Sequence, residues 1–165
     1  MNGQVSGSVS GLRSWARGVY AVEAAVELLA RYARGRFARP GWPWVVTDAS
    51  RGGSGYWLDA DALAPVELAG FSGGERRLLA LVGSLASGAP VDLSEALPGL
   101  DRASVALVLA AIAHAAGTHE HRGDLSIDPA TGGLVWGPVL GSLYPWPTET
   151  ATTAAAAAVV RGGER

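Results

Sequence analysis

The alternation of apolar and polar positions divides the chain into stretches of different period. From Leu12 to about Arg34 the period is helical. Val19, Val22, Val26 and Leu29 share one face, while Glu23, Glu27 and Arg31 fall four apart on another. Gly35 is placed to end this amphipathic helix. The preceding residues, 1–11, are rich in Gly and Ser and are expected to be flexible. The segment RPGWPWVVTDAS then changes period: aromatic and β-branched residues dominate, and Pro40 and Pro43 exclude a helix. Two short apolar runs, Trp44 to Thr47 and Tyr56 to Leu58, flank the connector RGGSG, which predicts a β-hairpin.

The helical period returns at Phe71. Ser72 is followed three residues later by Glu75, a capping-box spacing that opens the apolar run Leu78, Leu79, Leu81, Val82 and Leu85, with Gly88 as its stop. Asp92 and Glu95 repeat that spacing in VDLSEAL, a short helix closed by Pro98 and Gly99. Asp101 caps a third helix, RASVALVLAAIAHAA, which Gly117 ends. Because it is apolar nearly all round, this third helix is expected to be the most buried element. HEHRGDLSID and GLVWG then flank PATGG, whose Asp128-Pro129 and Gly132-Gly133 pairs carry turn chemistry and predict a second hairpin. Residues 148–165 are low in complexity and read as a disordered tail.

These elements predict one α+β domain over residues 12–147: an N-terminal amphipathic helix and a β-hairpin packed on a three-helix unit that carries the second hairpin. The succession helix, short helix, helix, hairpin over residues 71–137 resembles a winged helix-turn-helix in element order alone.

Composition narrows the chemistry. The 165 residues, 48% hydrophobic and 17% charged, suit one domain with a real core. The absence of cysteine excludes disulfides, zinc–thiolate sites, iron–sulfur clusters and cysteine nucleophiles. There is no lysine either; every basic side chain is arginine, which with abundant Ala, Gly, Val and Leu suggests a GC-rich bacterial genome. That absence decides how FSGGERRLLAL, residues 71–81, is read. The stretch resembles the signature of ABC ATPases, but such a signature works with a phosphate loop ending in Gly-Lys-Ser/Thr, which this chain cannot contain. The Ser72–Glu75 spacing is a sufficient local cause, and no nucleotide is expected. The apolar stretch from Ala103 to Ala116 is interrupted by Ser104 and His114 and is too short for a bilayer. The N-terminus has no secretory pattern, so the expectation is a cytoplasmic protein with no membrane contact.

Four candidate sites remain. All three histidines fall within eight residues. With His114 in the last helical turn and His119 and His121 sharing a face of the outgoing strand, they could bind Zn²⁺, with Asp124 as a fourth ligand. Arg102 and Arg122 would be the phosphate contacts of a winged-helix DNA binder, helped by Arg31, Arg34, Arg36 and Arg39. The formal net charge of −2 and the aspartates nearby oppose that reading. Among six tryptophans, Trp42 and Trp146 lie beside prolines and are expected to be exposed anchors for a partner. Arg51 with Gly52, Gly53 and Gly55 could cradle an anion, although a lone Gly-rich connector is far more often a hairpin turn. No G-x-S-x-G or H-E-x-x-H motif is present. The sequence therefore points to a small non-enzymatic interaction or regulatory module, acting on a protein partner or as a homodimer. A metal-binding protein and a DNA-binding regulator are the alternatives.

Overall fold

In the computed structural model residues 2–48, 55–63 and 70–148 are described; Arg51, Gly52 and Gly53 of the expected anion cradle, and the tail from 149, lie outside them. The chain opens with two helices, α1 (Asn2–Ala16) and α2 (Tyr20–Arg31), and a 3-10 stretch, Tyr32–Ala38. A first antiparallel hairpin follows, β1 (Val45–Asp48) with β2 (Gly55–Leu58), in a register that pairs Val45 with Leu58. Then come α3 (Gly73–Ser87), α4 (Leu93–Ala96), α5 (Arg102–Ala115) and a 3-10 turn, Thr118–Glu120. A second antiparallel hairpin, β3 (Leu125–Ile127) with β4 (Leu134–Trp136), completes an α+β fold with two separate two-stranded sheets. Among the described residues, no helix is long and apolar enough to cross a membrane.

The local start and stop signals act as their chemistry requires. Ser72 and Glu75 form the reciprocal capping box: Glu75 N–H donates to Ser72 Oγ at 3.3 Å, and Ser72 N–H donates to Glu75 Oε2 at 2.9 Å. Asp92 accepts from Ser94 N–H at 2.8 Å, and Asp101 from Ser104 N–H at 2.7 Å, so each of these carboxylates satisfies an amide that the first turn leaves open. Gly88 ends α3 in the left-handed region at φ 76°.

The N-terminal half departs from its periodicity. Residues 1–11, expected to be flexible, are helical from Asn2. Gly and Ser disfavour such a helix, but Ser8, Leu12 and Ala16, four apart, are all buried, and Ser8 Oγ donates to Ala38 O at 2.9 Å. Tertiary packing overrides propensity here. The single helix expected from Leu12 to Arg34 is broken at Gly18, whose φ of 91° suits glycine. α2 ends early, at Arg31, because Ala33, Arg34 and Gly35 adopt left-handed φ values of 47°, 56° and 70°. Two of these are not glycine, at a cost of about 1–2 kcal/mol each. The turn they make delivers Phe37 to the core, where it stacks on Tyr32 at 5.7 Å.

The centre of the molecule is α2, with Ala24, Ala25, Val26, Leu28 and Leu29 fully buried. It packs extensively on both α3 and α5, which hardly touch each other. This corrects two expectations. The three helices after Phe71 do not form the self-packed unit of a winged helix, because α2 occupies the place where their own core would be. Nor is α5 the most buried element: its apolar circumference leaves Leu109 and Ile112 exposed. Phe37, Trp42, Trp44 and Phe71 form an aromatic nest around the first hairpin, with Trp42 stacked on Trp44 at 5.1 Å.

Candidate functional site

A polar cluster forms where the start of α2 meets the end of α5. Glu23 lies in the first turn of α2 and His114 in the last turn of α5. Gly117 then reverses the chain at φ 68°, and a Cβ there would meet the Tyr20 ring at 3.1 Å, so glycine is required on both counts. The 3-10 turn after it is pinned by Thr118, which donates to Ala113 O at 2.8 Å and accepts from Leu143 N–H at 3.2 Å. His119 is thereby returned onto His114, the two imidazoles stacking at 4.3 Å and 12°. Tyr20 meets both rings edge-on.

The hydrogen bonding of this cluster is asymmetric. Glu23 Oε1 accepts from Gly18 N–H at 2.8 Å, and Oε2 pairs with His114 Nε2 at 2.9 Å. Burial pushes the Glu23 carboxyl up, but those two hydrogen bonds and the neighbouring histidines outweigh it and hold the group below the usual carboxylate range. His119 Nδ1 is buried and has no hydrogen-bond partner among the described residues. Glu23, His114 and His119 place one ligand atom each within 4.8 Å of one another. A cleft of about 220 Å³ opens beside them, lined by Glu23 and His114 together with Arg13, Arg17 and Glu27.

The expected metal quartet is therefore divided. His114 and His119 converge; His121 and Asp124 do not belong to the group. The cause is the turn at Thr118–Glu120. It replaces the strand on which His119 and His121 would have shared a face, so His119 turns inward and His121 is exposed. Glu23, which the sequence offers only as part of a helical charge pattern, is the carboxylate that joins the two.

The tryptophans are also redistributed. Trp42 is half-buried in the aromatic nest and donates from Nε1 to Arg36 O at 2.8 Å. Trp146 is half-buried as well, under the Arg31 guanidinium at 5.1 Å and beside His114. Neither is the exposed anchor expected of it, because a neighbouring proline marks a loop and not exposure. Arg102 and Arg122 are both exposed. The arginine patch that would assist them is partly neutralised, since Arg31 pairs with Glu27 at 2.9 Å and Arg36 with Glu75 at 3.1 Å.

Of the exposed tryptophans Trp15, Trp57 and Trp136, the most exposed, Trp136, lies on the second hairpin. Leu125 is directly opposite Trp136, and Ile127 opposite Leu134, so the four share one face of the two-stranded sheet. That face is bare: Leu125 is 46% exposed, Trp136 60%, Ile127 67% and Leu134 71%. Val139, Leu140 and Leu143 continue the exposed apolar surface along the next segment. The alternation in LSI and LVW carried this signal in the sequence. Comparison with protein-family models, with curated proteins and with solved structures found no match to this chain.

Proposed function

We propose that the protein is a small, non-enzymatic interaction module that works through protein–protein contacts, its first partner being a second copy of the chain joined at the β3–β4 face. The observation that carries this reading is the set of paired side chains Leu125–Trp136 and Ile127–Leu134, all exposed on one face. A two-stranded hairpin is marginal alone and needs a further layer to pack against. Contiguous apolar surface of this kind marks an interaction site. A second copy suits it for two reasons. Directly opposed apolar pairs can meet their own equivalents across a two-fold axis, and a net charge of −2 sets up little repulsion between copies.

Covering the exposed part of these side chains on both copies is worth on the order of 10 kcal/mol. The cost of bringing two chains together is of similar size, so the expected dimer is reversible and weak. Sedimentation equilibrium over a range of concentrations tests it. Wild type should pass from monomer to dimer, while Ile127→Asp should stay monomeric with an unchanged circular dichroism spectrum. A wild type that remains monomeric at the highest soluble concentration, or a dimer indifferent to Ile127→Asp, would rule the reading out.

A further inference from the structure

We propose that Glu23, His114 and His119 form a binding site for one divalent transition-metal ion of the Zn²⁺, Ni²⁺ or Co²⁺ kind, with its remaining coordination positions open to the adjacent cleft. Two imidazoles and one carboxylate form a donor set suited to those ions more than to Mg²⁺ or Ca²⁺, which take oxygen ligands almost throughout. The backbone supplies the positioning. Gly18 N–H holds Glu23 Oε1 and leaves Oε2 directed at His114 Nε2, so the cation would take the place of the proton shared by that pair. His119 brings the independent observation. Its Nδ1 is buried and, among the described residues, has no hydrogen-bond partner, which is unfavourable for a polar atom, and a cation in the cluster would give the ring a ligand role.

Binding requires an adjustment of the distances and a tilt of the two stacked imidazoles, so that each aims a nitrogen at the ion. Donors at about 2.0–2.1 Å around a tetrahedral ion lie roughly 3.3 Å from one another. The His114–Glu23 contact of 2.9 Å has to open slightly, and His119, at most 4.8 Å from the others, has to swing inward. His119 is the member to move, since it is held by ring contacts with His114 and Tyr20 and, among the described residues, by no hydrogen bond at Nδ1. Arg13, Arg17 and Glu27 line the cleft next to the site, where water would complete the coordination sphere.

The test is titration of the full chain with Co²⁺, followed by its visible ligand-field absorption, with Zn²⁺ as competitor. One equivalent should bind with the absorption of a low-coordinate site, and Zn²⁺ should displace it. His119→Gln and Glu23→Gln should each weaken binding by at least roughly the tenfold to hundredfold that loss of a supporting group around a metal costs. His121→Gln should leave affinity unchanged. Should Glu23→Gln fail to fold, the imidazole NMR signals of the wild type provide a second readout: Zn²⁺ should shift those of His114 and His119 and spare His121. No saturable binding, binding that His119→Gln leaves intact, or binding lost with His121→Gln would each overturn the site.

Discussion

The two hairpins of this molecule have the same plan and opposite surroundings. Each is a two-stranded antiparallel sheet isolated from the other. β1–β2 is covered: Val45 and Leu58, directly paired, are both buried, α1 lies against β2, and the aromatic nest closes around Trp44. β3–β4 has equally apolar pairs, and all of them face outward. The strands differ little in what they could bury. What differs is the supply of a second layer, which the described residues give to the first hairpin and not to the second. A sheet face needs a partner layer wherever it is apolar, and on the proposal above a second copy of the chain supplies it for the second hairpin.

The sharpest test of that contrast removes a tryptophan from each hairpin. Trp44 is buried and donates from Nε1 to Phe37 O at 2.8 Å. Trp44→Ala should destabilise the fold by about 3–5 kcal/mol, which is a large part of the stability of a small domain. Trp136→Ala, measured at concentrations low enough to keep the chain monomeric, should shift stability by no more than about 0.5 kcal/mol while weakening self-association. Chemical denaturation of both variants measures this. A Trp136→Ala variant as unstable as Trp44→Ala would mean that the second hairpin is covered within the chain, and the contrast would be lost.

A second test addresses the covering layer itself. Leu12 is fully buried on α1, the helix that packs on β2. Leu12→Ala should cost about 2–5 kcal/mol. Amide hydrogen exchange should show where the loss falls: protection should drop in β1–β2 and in α1, whereas exchange in β3–β4 should be unaffected under native conditions. Equal loss in both hairpins would show that they are stabilised together and not by separate layers.

What was legible in the sequence was local. The caps Ser72, Asp92 and Asp101 and the stop at Gly88 act over three or four residues, and a sequence displays such spacings directly. Both hairpins were visible for the same reason. α1 was not, because its helicity depends on burying Ser8, Leu12 and Ala16 against residues far along the chain. Only two of the three members of the polar cluster could be read. His114 and His119 are close in sequence, but Glu23 is 91 residues from His114, and nothing local links them. His121 was misassigned because a strand was expected where Gly117 starts a 3-10 turn, and one turn suffices to send two histidines in different directions. Trp42 and Trp146 show the same limit: their prolines placed them in loops, and loops can fold back onto a core.

The smallest expected effect concerns how α1 is fastened as the layer over the first hairpin. Glu27 on α2 accepts from Arg31 at 2.9 Å and from both Arg13 Nε and Arg13 Nη2, the latter at 2.9 Å, so it ties α1 to α2. Burial pushes the Glu27 carboxyl up, but Arg13 and Arg31 outweigh that and hold it below the usual glutamate value of 4.5. A folded-state value below the unfolded one means that the pair stabilises fully above pH 4.5 and that its contribution is lost as pH falls through the lower, folded value. Arg13 is about half exposed, so the contribution should stay under about 1 kcal/mol. Glu27→Gln should therefore destabilise the protein slightly at neutral pH and hardly at all in strong acid, the two stability curves converging below the ordinary carboxylate range. Sedimentation of the same variant should show unaltered self-association, because α1 packs on β2 of the first hairpin while the proposed contact lies on β3–β4. A Glu27→Gln variant that lost the dimer would connect the two hairpins through α1 and remove the separation on which the comparison rests.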